Sequence, residues 1–277
     1  MLRDIIVHLD GGREDEIRLE HALAIAAAER AHLTGLYTNQ LPELTLMVPM
    51  DGSGAAIEVL SELEDRARQE GDVIAKRLAE KLSGLEVPSG LRRLDDTLGG
   101  LLAQVVEQAR CADLFVTTRP YGEAGASVWS GLVEAVLFGS GRALLLVPPG
   151  QHPQGPIKTV LVPWNGSREA TRALREGLSF IAQADRTIVL VADPPADADP
   201  GAEVKRHLAH HGVAAEVATV ECRGRSVTAA ILEEARRLAA DLVVMGGYGH
   251  TRFREHVFGG VTRDMLTASD RPILLAH

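Results

Sequence analysis

The chain repeats itself. Ile5-Ile6-Val7-His8-Leu9-Asp10-Gly11-Gly12-Arg13-Glu14 is echoed by Val160-Leu161-Val162-Pro163-Trp164-Asn165-Gly166-Ser167-Arg168-Glu169, each an apolar run, a turn and the start of an Ala-rich helix. Ala109–Val116 then parallels Leu238–Val244, and Leu137-Phe138-Gly139-Ser140 parallels Val257-Phe258-Gly259-Gly260, always in the same order. A duplication at this period, in a chain of 277 residues, calls for two domains of about 140 residues each.

Short β-branched runs alternate with helical patterns in both halves. In the second half strands are expected near 158–163, 187–192, 214–220, 241–245 and 272–276, with helices over Glu169–Ala184, Pro200–His211 and Val227–Ala239. Such alternation implies parallel strands, right-handed crossovers and helices on both faces. Ligands of such sheets bind at the carboxyl ends of strands. Pro148–Pro156 is too rich in Pro and Gly for a helix or central strand, which sets the domains at 1–149 and 157–277 with 150–156 as linker. An insertion in the first half comprises an apolar loop, Pro42–Gly54, and a long amphipathic helix over Ala55–Leu82 interrupted near Gly71.

Composition narrows the function. Apolar residues are 45%, charged ones 24%, and aromatics only 4%, which suits Ala-, Leu- and Val-rich helices on parallel strands. The net charge of −9 argues against nucleic acid or an acidic membrane surface as partner. Cys111 and Cys222 are too few for a disulfide framework and read as packing residues in a reducing compartment. The N-terminus has no apolar signal-peptide core and no run reaches membrane-spanning length, so a cytoplasmic location is expected.

The most informative stretch runs from Asp241 to Thr262. A strand, Leu242–Met245, empties into Gly246-Gly247-Tyr248-Gly249; nine residues intervene before Gly259-Gly260-Val261-Thr262. A glycine-rich turn leading into a helix leaves several N–H groups unpaired and converging, a cradle suited to phosphate.

The spacing G-x-x-G, nine residues, then Gly and a small residue resembles the nucleotide-binding signature of the universal stress protein family, and the chain resembles that family from end to end. The resemblance implies two tandem doubly wound α/β domains of the adenine-nucleotide α-hydrolase-like type, packed as a pseudo-dimer through their last strands, Ala143–Val147 and Pro272–Ala276. It implies ATP or a related adenine nucleotide as ligand, with or without Mg. On that resemblance Pro163, Trp164 and Asn165 hold the nucleoside, Asn165 standing where the family usually has Asp. Val191 or Ala192 faces the adenine, with Met245 and Gly246 beneath it. The phosphates meet Gly249, Gly259, Gly260, Val261 and Thr262. A Ser or Thr usually follows the last motif glycine; Gly260 stands there instead and removes one donor. His250, Arg252 and Arg254 are either phosphate cations or a solvated basic face.

The first half has Thr118-Arg119-Pro120-Tyr121-Gly122 in place of the glycine turn, and proline lacks an N–H. This copy is expected to be degenerate, leaving one site per chain. His207, His210 and His211 share one helix face, at a spacing that either holds a metal or is simply solvated; without an accompanying Cys or acidic cluster the solvated reading is preferred, and no metal site is assigned. No Walker A lysine, H-E-x-x-H, C-x-x-C or G-x-S-x-G motif occurs, so no catalytic residue is assigned and at most slow ATP hydrolysis is expected. The expected function is a nucleotide-binding stress-response regulator with an unknown protein partner and, beyond the intramolecular pair, a homodimer. The alternative is an interaction scaffold of the same fold that binds no nucleotide.

Overall fold

The computed structural model describes residues 1–43, 54–122, 125–126, 129–195, 199–249 and 260–277. The first half contains β1 (Asp4–Leu9), α1 (Asp15–Glu29), β2 (His32–Gln40), α2 (Gly54–Ser83), β3 (Ser89–Asp96), α3 (Leu98–Arg110), β4 (Leu114–Thr118), the two-residue strands β5 (Tyr121–Gly122) and β6 (Gly125–Ala126), α4 (Ser130–Ser140) and β7 (Leu144–Val147). The second contains β8 (Thr159–Pro163), α5 (Arg168–Glu176), α6 (Leu178–Gln183), β9 (Arg186–Ala192), α7 (Ala202–His210), β10 (Ala215–Val220), α8 (Val227–Arg237), β11 (Leu242–Gly246), α9 (Val261–Ala268) and β12 (Ile273–Ala276).

Among the described residues ten strands form one sheet, in the order β3-β2-β1-β4-β7-β12-β11-β8-β9-β10. Each half contributes five parallel strands in the same internal order, and the two runs meet where β7 pairs antiparallel with β12, Leu145 opposite Leu274. The last strands therefore cover each other's edges, as expected of a tandem pseudo-dimer. Because helices cover both faces, the central strands are nearly continuous apolar runs, while the edge strands β3 and β10 carry polar residues. Alternate residues serve two cores. One core joins Ile5, Val7 and Leu9 with residues of α1 and α2 and continues in the second half with residues of α5–α7; the other joins Ile6 and Phe115 with residues of α3 and α4 and continues with residues of α8 and α9.

The copies agree down to single hydrogen bonds. Asp113 accepts from the N–H groups of Arg3 and Asp4, as Asp241 does from Lys158 and Thr159. Asp10 Oδ1 accepts from Gly12 N–H at 3.0 Å, and Asn165 Oδ1 from Ser167 N–H at 3.0 Å. The residue between takes a positive φ in both, Gly11 at 80° and Gly166 at 70°. The halves are also bonded to each other. Glu29 at the end of α1 accepts from Leu2 N–H, the Ser179 hydroxyl and the Gln183 amide.

Three expectations need correction. Helix α2 runs unbroken through Gly71. That glycine serves close packing, since a Cβ there would lie 2.5 Å from Asn39 Nδ2 and 2.7 Å from an Arg93 guanidinium nitrogen. The helix expected over Glu169–Ala184 breaks at Gly177, where a Cβ would stand 2.7 Å from Val244. Gly139-Ser140 is not the counterpart of Gly259-Gly260: it ends α4, whereas Gly260 precedes α9. A Cβ on Gly139 would lie 2.8 Å from Val106, so that glycine fits α4 onto α3. The apolar loop Pro42–Gly54 falls largely outside the described residues.

Candidate functional site

The candidate site is assembled at the carboxyl ends of β8, β9 and β11. Strand β8 stops at Pro163, which has no N–H to extend a ladder. Trp164 N–H still donates to Leu190 O at 2.8 Å, so the indole is carried on the edge of the β9 ladder. The Asn165 side chain closes the turn onto Ser167 N–H, and Ser167 caps α5 by accepting from Ala170 N–H at 3.1 Å, worth about 1 kcal/mol. Asn165 Oδ1 is thus engaged in the turn, while its amide donors remain available to a ligand.

Strand β9 brings Val191, buried, and Ala192 beside this turn. Asp193 follows with φ of 45°, its carboxylate accepting from Cys222 N–H at 2.8 Å. That bond lowers the Asp193 pKa, and the Asp193 carboxylate, with burial, raises that of the Cys222 thiol.

Strand β11 ends in Met245 and Gly246. Gly246 is required by packing rather than by the cavity, since a Cβ would sit 2.4 Å from the Glu169 carbonyl carbon at the start of α5. Gly247 N–H donates to Ala276 O at 2.9 Å, which locks the turn to β12. Tyr248 takes φ of 57° and donates its N–H to Thr262 Oγ1 at 3.0 Å. The Thr262 hydroxyl is therefore already an acceptor within the turn, and its proton is what remains for a ligand. The Tyr248 ring meets Phe138 of α4 edge-on, with centroids 5.3 Å apart, so the glycine turn leans on the first half. Gly260 stands in extended backbone at the start of α9, and the first-turn N–H groups of a helix lack intrahelical acceptors.

Pro163, Trp164, Asn165, Val191, Met245, Gly246, Gly249, Gly260, Val261 and Thr262 line one cavity of about 810 Å³, within the roughly 300–1,000 Å³ usual for small-molecule sites. Ten of the eleven residues expected from sequence thus meet in one place. The eleventh, Gly259, lies outside the described residues, as do His250, Arg252 and Arg254. The cavity has an apolar slot between Pro163, Val191 and Met245, closed by Ile231 of α8, and a polar end at Gly249 and the α9 N-terminus. A flat aromatic ring suits the first and an anion the second.

Sequence reasoning misses Ile231 and the two acids, Asp193 and Glu169. Glu169 stands in the repeated turn opposite Glu14, so its place in the repeat is visible while its role is not. The signal that reveals its position is the strand, Asx turn and helix start, which aims the first turn of α5 at the glycine loop.

The first half fills the equivalent space. His8 lies near the end of β1 as Pro163 ends β8, and Trp129 precedes α4 as Gly260 precedes α9. The two rings meet edge-on with centroids 4.9 Å apart. Arg18, 3% exposed, bonds Asp10 and Asp15 at 2.6 Å each and His8 Nδ1 at 3.2 Å, while His8 Nε2 meets Thr38 Oγ1 at 2.9 Å. With Arg18 donating to Nδ1, the proton of the neutral ring belongs on Nε2. Burial, and then the Arg18 charge, depress the His8 pKa to about 3. Burial, the largest single influence on Asp10, would raise its pKa, but Arg18, His8 and the bonds from Gly12 and Asp15 together outweigh it and hold that carboxyl at about 2. Arg119, in place of the glycine turn, donates to the Leu266 and Thr267 carbonyls at the end of α9 and so caps a helix of the other half.

A sequence model of the universal stress protein family matches residues 156–277. The C-terminal half belongs to the universal stress protein family. No curated protein matches the chain by sequence. Among solved structures, a universal stress protein from Archaeoglobus fulgidus covers 99% of this chain and 96% of its own, with a TM-score of 0.69 at 14% identity. A candidate universal stress protein from Pseudomonas aeruginosa covers 99% and 93%, with a TM-score of 0.59 at 15% identity. At such identities the likeness is one of fold, and it spans both halves. A universal stress protein in complex with cAMP covers 44% of this chain and 98% of its own, at 26% identity and a TM-score of 0.37. Among the described residues no helix is long and apolar enough to cross a membrane, and no three His, Cys, Asp or Glu side chains are grouped to hold a metal ion.

Proposed function

We propose that the protein is a tandem universal stress protein that binds ATP or a related adenine nucleotide at one site, in its second half, and acts as a cytoplasmic regulator. The observation that carries this reading is the cavity itself: an apolar slot at the ends of β8, β9 and β11, opening onto a glycine turn and a helix N-terminus. On this account the domains are 1–149 and 157–277, joined by 150–156. Adenine lies in the slot against Val191 and Met245, the ribose beside the Asn165 amide, and the phosphates at Gly249, Gly259, Gly260, Val261 and Thr262. Mg, where present, is carried by the nucleotide phosphates. The fixed polar groups of the cavity bind and orient; a protein partner, or a second copy of the chain, reads the surface that ligand binding orders.

Calorimetry of the full chain against adenosine, AMP, ADP, ATP and cAMP tests this, alongside extraction of any nucleotide retained through purification. Saturable binding of at least one adenine ligand at one per chain is the expected result. Binding of none leaves the scaffold reading, which the acid facing the glycine turn and the glycine at position 260 favour.

A further inference from the structure

The cavity carries a charge pattern that its fold does not demand. Among the described lining residues the ionisable side chains are two acids, Glu169 and Asp193. Asp193 lies on the far side, tied to Cys222. Glu169 is buried against the glycine turn, and a Cβ built on Gly249 would stand 2.7 Å from its Oε2. Its cation partner, Arg168, bridges to Oε1 at 3.3 Å with a side chain 84% exposed, so water and salt screen that pairing. The carboxyl is held ionised. Its own backbone N–H at the start of α5 lowers its pKa, burial opposes this, and Arg168 and His277 add to the lowering.

We propose that Glu169 makes this cavity select against phosphate charge, so that its preferred adenine ligands are the nucleoside and the monophosphate rather than the triphosphate. The proposal deepens the adenine-nucleotide reading and rests on it. A phosphate oxygen accepting from Gly249 N–H must lie beside the Glu169 carboxylate. There the partly buried setting strengthens the like-charge repulsion relative to water. The converging N–H groups offset it for one phosphate. Each further negative charge adds repulsion, while among the described residues the turn and the α9 terminus supply only partial positive charges. The nucleoside end, in the apolar slot, lies away from the carboxylate and is indifferent to it. Glu169 is therefore a specificity-determining residue, acting through charge.

The test is calorimetry of wild type, Glu169→Gln and Glu169→Asp against adenosine, AMP and ATP, in excess EDTA and in Mg²⁺. In EDTA, Glu169→Gln should tighten ATP by roughly tenfold and AMP by less, because more charge is relieved, and leave adenosine within about twofold. Glu169→Asp keeps the charge and should keep the wild-type order of affinities, which separates charge from damage to the α5 start. The ATP gain should shrink as salt is raised. An equal shift for all three ligands, or none, overturns the proposal while leaving nucleotide binding intact. Weaker Mg-ATP binding by Glu169→Gln overturns it too, since the carboxylate would then be holding the metal. If no ligand binds any of the three proteins, the nucleotide reading itself fails and this proposal falls with it.

Discussion

The two halves share one frame and differ in what stands at the strand ends. Both keep the Asx turn after the first strand, the positive-φ glycine inside it and the aspartate that clamps the first strand from the start of the fourth. At the mouth, Pro163 and Gly260 leave open the space that His8 and Trp129 fill, and Arg18 with Asp10 and Asp15 seals the floor behind them. A cavity and a plug are thus separated by a handful of side chains on an unchanged backbone plan. The frame is held by bonds that a copy without a ligand also needs; only the residues at the cavity mouth are at liberty to diverge.

The sharpest break of this comparison is at the plug. Arg18→Ala leaves Asp10 and Asp15 without their counter-charge in a mostly buried setting, and should cost about 3–5 kcal/mol, read by urea denaturation. Nucleotide affinity of the second half should be unchanged at temperatures where the variant is folded. A loss below about 1 kcal/mol, the range of an exposed ion pair, would mean that the network is not what holds the first half closed.

Next come paired substitutions in the two turns. Gly249→Asp places a carboxylate in the polar end of the cavity and against Glu169, and should weaken nucleotide binding more than tenfold, over about 1.4 kcal/mol. Gly122→Asp in the first half should leave affinity untouched. Equal effects from the two would erase the distinction between the halves.

Acid should act on the plug before the cavity. His8 has a folded pKa near 3 against 6.5 for a free ring, so the unfolded chain binds more protons and stability falls as pH drops from 6.5 toward 3. Asp10, at about 2 folded against 3.8 free, adds a loss as pH falls from near 3.8 toward 2. Asp15 opposes both, because burial outweighs Arg18 and raises its pKa, so protonation favours its folded state. The expected outcome is a melting temperature that declines below pH 6.5, with a shallower slope in His8→Gln. An unchanged slope would show that His8 titrates in the folded protein.

The smallest effect sharpens the comparison from the other side. Gly260→Ser restores a hydroxyl at the α9 N-terminus and should tighten ATP by about 0.5–1.5 kcal/mol, with a smaller gain for AMP. Unchanged or weaker ATP binding would show that phosphate does not reach this terminus.

Much of the fold is legible in the amino-acid sequence. Strand positions in the second half follow from β-branched runs, and each expected strand end lies within a residue of the observed one. Glycine is harder to read, because one residue type answers several physical needs. Gly71 and Gly139 look like a helix break and a phosphate element, yet each is small so that another side chain can approach. Gly246 looks like a ligand contact and is required by the start of α5. Glu169 shows its place in the repeat but not its role, because an acid in the first turn of a helix is satisfied by the helix dipole alone; only the fold places the glycine turn beside it. The pairing of His8 with Trp129, 121 positions apart along the chain, has no local signal at all.

The central claim, one open site and one plugged copy on the same frame, is tested most directly by counting and locating bound nucleotide together. A photoreactive adenine nucleotide, titrated to saturation, cross-linked and mapped by peptide mass spectrometry, reports both at once. The account predicts one label per chain, on peptides carrying Trp164, Val191 or Met245. Two labels per chain, or a label on the peptides carrying His8 or Trp129, would contradict it.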